Sequence, residues 1–263
     1  MFGFFKRRRR RKIVAAPFSD SWDRILRKNF PLYLRLSDDD RRELQDGIKI
    51  FIAEKNFEGA GGQEITEEIK VTIAAQACVL LLRRETDYYP KLRSIIVYPR
   101  AFVSVVREQA GYGMVSEREV VRLGEAWGHG TVVLSWNDSR SGAADINDGH
   151  NLVFHEFAHQ LDQEDGDANG APILERSSMY VAWARVLGAA YAELQKDSKR
   201  KRSTVLDTYG ATNPAEFFAV ATEAFFEKPR RLRQKHPELY EELKLYYQQD
   251  PEEFFEGPMN EAQ

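Results

Sequence analysis

His155-Glu156-Phe157-Ala158-His159 puts two imidazoles four residues apart with a carboxylate beside the first. On an α-helix, positions i and i+4 lie one above the other, so both imidazoles can address one metal ion. Glu156 then stands where it can take a proton from water activated at that metal, which is the H-E-x-x-H pattern of zinc peptidases. Chance produces such a pentamer in about one chain of this length in a hundred, so the flanking residues have to decide. The pattern predicts a helix from about Asp148 or Asn151 to Asp162.

A catalytic zinc site takes three protein ligands and keeps a fourth position for water. A three-histidine extension of the motif would need Gly three and His six residues after His159. Asp162 and Asp165 stand there and exclude it. Asp162 is one candidate third ligand, although a carboxylate one turn on more often orients a ligand or ends the helix. Glu216 is the stronger candidate. It lies in Tyr209-Gly210-Ala211-Thr212-Asn213-Pro214-Ala215-Glu216-Phe217-Phe218, where Asn213-Pro214 starts a helix that is otherwise apolar. Burying a carboxylate there is costly unless a cation partners it. Glu223, seven residues further on, shares that face and can hydrogen-bond a ligating histidine.

Helical patterns dominate the rest of the chain. They cover Trp22 to Phe30, Arg41 to Phe51 with Ser37 or Asp38 as N-cap, Thr66 to Leu82, Met179 to Leu194 and Glu238 to Gln249. Ser94 to Tyr98 and Thr131 to Trp136 are β-branched and aromatic runs that read as strands. The expected class is α+β, mainly helical and zincin-like, with a small sheet beside the motif helix. One catalytic domain is expected over 19–255, between a basic, disordered tail over 1–18 and a flexible tail over 256–263.

At 43% hydrophobic and 30% charged residues the chain reads as an ordinary globular protein. Its single cysteine, Cys78, excludes an internal disulfide, fits a reducing cytoplasm and reads as a buried thiol. No apolar run reaches the ~18–20 residues that span a bilayer. Lys6 to Lys12 are seven consecutive cations. Too short an apolar run follows them for a secretory signal, so the run reads as a solvated tail, with weak contact to an anionic membrane as its sharper use. Subtracting these seven charges from the overall −3 leaves the remaining chain at −10, which argues against nucleic acid as a direct partner.

The two site motifs in this order, with His159 and Glu216 57 residues apart, resemble those of the Mlc titration factor A family. Gln160-Leu161-Asp162, Ile96-Val97-Tyr98-Pro99 and Leu134-Ser135-Trp136 are similar to that family too, so the likeness covers most of Trp22 to Pro251. Members are cytoplasmic bacterial zinc peptidases whose catalytic domain is similar to that of anthrax lethal factor. The resemblance implies His155, His159 and Glu216 as ligands of one Zn2+, Glu156 as catalytic base and Tyr209 as a hydroxyl near the developing oxyanion. It also implies aminopeptidase-like cleavage of peptides and a regulatory partner, a transcription repressor of the Mlc type that controls sugar uptake.

The remaining features carry less. His150 is rotated about 140° from His155 around a helix and falls off the ligand face. His129 between two glycines reads as a turn residue, and His236 before Pro237 as a helix boundary. Asp165-Gly166-Asp167-Ala168-Asn169-Gly170 imitates the start of a calcium loop, but Arg176 replaces its closing glutamate and Pro172 interrupts it. Lys199-Arg200-Lys201-Arg202 reads as a charged loop. The strand from Thr131 could offer an edge to an extended peptide, although a core strand is the plainer reading.

Overall fold

The basic run is not a tail. In the computed structural model, which describes the backbone of residues 2–110, 114–122, 124–127 and 130–255 and side chains over 5–101 and 130–255, it forms helix α1 (Phe2–Ala15). His129 and the tail expected over 256–263 lie outside the described residues. Like charges would repel in an isolated peptide, but here Lys6 and Arg10 find carboxylate partners. Arg10 grips Glu54 through two bonds, Nε–Oε1 at 2.8 Å and Nη2–Oε2 at 2.7 Å, and Lys6 and Arg10 both reach Asp87. Lys49 Nζ donates to Val14 O and Ala16 O, satisfying carbonyls at the end of the helix.

Helices α2 (Asp20–Asn29), α3 (Asp38–Glu54) and, after strand β1 (Asn56–Gly59), α4 (Glu67–Val79) form the N-terminal half of the core. Each starts on a hydroxyl cap: Ser19, Ser37 and Thr66 accept backbone N–H groups of the first turn. Gln76, a polar residue in the apolar part of α4, is fully buried and donates to Thr72 O and Ser139 O. Cys78 is buried as expected.

Strand β2 (Ser94–Tyr98) is followed by the antiparallel pair β3 (Phe102–Ala110) and β4 (Met114–Arg122), then by β5 (Gly124–Trp127) and β6 (Thr131–Ser135). The main sheet runs β1-β2-β6-β5, with β1, β2 and β6 parallel and β5 antiparallel to β6. The edge proposed for Thr131 to Trp136 is therefore occupied. β6 lies between β2 and β5 with Val132 to Ser135 buried, which is why its sequence is apolar on both faces. Among the described strands, β1 and β5 form the edges of this sheet.

Ser135 ends β6 and caps α5 (Trp136–Ala144), and the motif helix α6 (Leu152–Asp162) follows with Asn151 as its cap. Phe154, Phe157, Ala158 and Leu161, at the i, i+3, i+4, i+7 spacing, give α6 a buried apolar stripe. Phe157 packs on Phe51 and Tyr89 with ring centroids 5.7 and 4.8 Å away, and Phe154 packs 5.3 Å from Phe226. Helix α7 (Met179–Lys199) runs past the expected end at Leu194 and takes in the start of the basic segment at Ser198–Lys199. Helices α8 (Pro214–Glu227), α9 (Pro229–Lys235) and α10 (Pro237–Tyr247) follow, each with proline in its first turn. The architecture is mainly helical α+β, with the small sheet beside α6. No helix among the described residues is long and apolar enough to cross a membrane.

Candidate metal centre

Asn151 fixes the start of α6 by accepting Phe154 N–H on Oδ1 at 2.9 Å, and Asn213 fixes the start of α8 by accepting Glu216 N–H at 3.0 Å. The two helices pack side by side, and their facing positions converge. His155 Nε2 lies 2.9 Å from Glu216 Oε2, and His159 Nε2 lies 3.4 Å from the same oxygen. One donor atom from each of His155, His159 and Glu216 falls within 4.8 Å of the others, a grouping that a single cation can bridge. The cluster does not include Asp162. That side chain is buried and accepts Gly170 N–H at 2.9 Å, so it pins the loop after the motif helix.

The surrounding groups suit a cation at this point. Glu223 Oε1 lies 2.7 Å from His155 Nδ1, a partner that would hold the Nδ1 proton and free Nε2 for a metal. Burial works against the charge on Glu216, but hydrogen bonds from His155 and His159 and their charges hold its carboxylate below the ordinary range. His155 is opposed by burial in the same way, yet its bonds to Glu216 and Glu223 raise it well above the usual imidazole range. Glu156 is buried next to His155, and its Oε2 has no hydrogen-bond partner among the described residues. Burial pushes its carboxyl up to about 7, against the pull of both imidazoles. A buried oxygen without a partner beside three convergent donors fits a site completed by a metal and its water.

Tyr209 stands on a 3-10 turn, Thr208–Ala211, capped by Asp207. Its ring centroid is 5.9 Å from that of His155, and the side chain is 54% exposed, so it borders the cluster from the solvent side. His150 is exposed, lies 3.5 Å from Asp207 and is not one of the three clustered donors. His236 caps α10. In the calcium-like loop, Asp165 and Asn169 accept backbone N–H groups two residues on, as turn residues do.

The sequence reading missed Glu227 and took Asn151 only as a possible start of the motif helix. Glu227 and the side chain of Asn151 are buried behind Glu223, hydrogen-bonded to each other at 3.1 Å. The signal for Glu227 was present: positions 216, 223 and 227 recur at i, i+7 and i+11 and line one face of α8.

Comparison with known proteins identifies the family. A family model described as glucose-regulated metallo-peptidase M90 matches residues 4–248. The chain is 41% identical over 245 residues to an uncharacterized protein of Synechocystis, covering 92% of this chain and 89% of that one. It is 32% identical over 233 residues to Mlc titration factor A of Klebsiella pneumoniae and 31% identical to that of Escherichia fergusonii, covering 88% of this chain and 86% of each relative. This chain belongs to the M90 family of glucose-regulated metallopeptidases.

Proposed function

We propose that this metallopeptidase is a zinc enzyme that hydrolyses peptide bonds, with His155, His159 and Glu216 holding one Zn2+ and Glu156 acting as general base. The observation that carries the reading is the convergence of two imidazoles and a carboxylate within 4.8 Å beside the buried Glu156. Two nitrogens and an oxygen form a donor set that zinc accepts. When bound, zinc supplies Lewis acidity toward the scissile carbonyl and makes an adjacent water easier to deprotonate.

This chain's residues handle the protons and the developing charge. Glu156 accepts a proton from the attacking water and delivers it to the departing amine. The Tyr209 hydroxyl donates toward the oxyanion as the carbonyl becomes tetrahedral. Glu223 keeps His155 oriented and its Nδ1 protonated while the charges shift. Strand β5, an edge of the main sheet that packs beside α6, offers backbone groups with which an extended peptide can pair.

The finer parts of the proposal are aminopeptidase-like trimming of peptides in the cytoplasm and a regulatory link to sugar uptake through a repressor of the Mlc type. Their support is the similarity to proteins named Mlc titration factor A. Zinc content and peptide hydrolysis, measured on wild type, E156Q and E216A, test the central reading. E156Q should keep zinc and lose turnover, whereas E216A should lose zinc. Hydrolysis surviving in E156Q, or full zinc occupancy in E216A, overturns the assignment. If repressor capture is a separate activity, E156Q retains it; a repressor that binds neither protein removes that part.

A further inference from the structure

Behind His155 runs a buried polar chain that continues beyond Glu223. Glu223 gives one oxygen to His155 Nδ1, and its second, Oε2, accepts the backbone N–H of Asn151 at 2.7 Å. The Asn151 side chain caps α6 with its oxygen, and its amide donates in two directions at 3.1 Å, to Gly142 O on α5 and to Glu227 Oε1 on α8. Asn151, Glu223 and Glu227 are 1%, 7% and 3% exposed, so water cannot replace these partners. The fit is close: a Cβ at Gly142 would lie 3.1 Å from Asn151 Cα.

Glu223 and Glu227 are one turn apart on α8, and two buried charges that close would repel strongly. Burial holds the Glu227 carboxyl well above the ordinary range; the Asn151 bond opposes this, while the charges of Glu223 and Asp148 reinforce it.

We propose that Asn151 and Glu227 are positioning residues, a brace that ties the start of α6 to α8 and aims Glu223 at His155 Nδ1. This rests on His155 being a metal ligand, and losing a group that orients a ligand typically weakens metal binding by about 10–100-fold. The test uses E227Q, which keeps a neutral hydrogen-bonding group, E227A, which removes it, and N151D, which keeps the cap oxygen but removes the amide donor. Two quantities are read on the full chain: zinc affinity by chelator competition, and the Nδ1-bound proton resonance of His155 in metal-free, 15N-histidine-labelled protein.

E227Q should hold zinc within about twofold of wild type, whereas E227A and N151D should weaken it by about tenfold or more. In those two variants the His155 Nδ1 proton should broaden or vanish in metal-free protein while the His159 signals stay in place. Folded E227A or N151D with wild-type zinc affinity and an unchanged His155 resonance overturns the brace. So does E227Q as impaired as E227A. If E227A fails to fold, N151D and E227Q decide by the same criteria. A wild-type protein that binds no zinc refutes the metal reading instead, and the metal-free resonance still judges the brace.

Discussion

Replacing Gly170 with alanine should damage the metal centre from a loop that contributes no ligand. Gly170 has φ +75°, and its N–H donates to Oδ2 of the buried Asp162. An alanine in this left-handed region costs about 1–2 kcal/mol by itself. The added Cβ would also lie 2.4 Å from Pro214 O and 2.9 Å from Pro214 C, backbone atoms at the first turn of α8. Ordinary contact begins near 3.4 Å, so backbone must give way by about 1 Å, and overpacking of this kind costs about 1–3 kcal/mol. Together these make about 2–5 kcal/mol, or a fall in Tm of roughly 4–20 °C at about 2–4 °C per kcal/mol. Gly62→Ala is the matched control. Gly62 has φ +82°, but an added Cβ would meet no atom within 4 Å, so only the conformational cost of about 1–2 kcal/mol applies. Because Pro214 stands two residues before Glu216, G170A should also weaken zinc binding, whereas G62A should not. Thermal unfolding of both variants with chelator and with zinc separates the effects. Equal losses of stability in the two, or wild-type zinc affinity in G170A, would refute the claim that this contact holds α8 in register with α6.

Other perturbations follow from the packing and the ion pairs. Phe157→Ala empties a buried site against Phe51 and Tyr89 and should cost about 3–5 kcal/mol in urea unfolding of metal-free protein; less than about 1 kcal/mol would mean that α6 is not anchored there. Arg10→Ala breaks the pairing of α1 with Glu54 and Asp87 and should cost about 1 kcal/mol at low salt and less in 1 M salt; a loss that salt does not change would point to packing instead. Burial opposes the charge on Asp40, but bonds from Arg83 and Ser37 hold its carboxyl below the ordinary range. The unfolded chain therefore takes up this proton first. The stability it contributes is complete above about pH 4 and fades as pH falls through the lower folded value. The Tm gap between wild type and D40N should shrink from pH 7 to about pH 3; a gap that widens on acidification would reverse the sign of the argument.

Local signals carried much of this molecule. The caps at Ser37, Thr66, Asn151 and Asn213 are each written within three residues of the helix they start, and β2 and β6 are dense in β-branched side chains. What stayed hidden depends on distant partners. β1 is only Asn-Phe-Glu-Gly, and it becomes a strand by pairing with β2 across the whole of α4. α5 is built from Trp-Asn-Asp-Ser-Arg-Ser-Gly-Ala-Ala, a weak helix former that holds its shape because Ser139 and Gly142 are buried against neighbours. The seven cations of α1 read as a repelling run until Glu54 and Asp87 are seen beside them. The same holds at the site. The helical spacing of His155 and His159 is local, and the carboxylate in the apolar start of α8 marks Glu216 from sequence. No local pattern shows that Asn151, a helix cap, also reaches α5 and α8.

His159 and Glu216 sit on different helices, 57 positions apart in the chain. An ion gripped by both joins the chain to itself across α7 and the loops on either side. Closing a loop of that length covalently would restrict the unfolded chain by about 4 kcal/mol, the scale of a disulfide cross-link. With Cys78 as its single cysteine, this protein has no internal disulfide to use. On the proposed ligand assignment, a bound ion would thus act as a releasable staple as well as a place for chemistry. Metal binding should then raise resistance to unfolding and to nicking between α6 and α8.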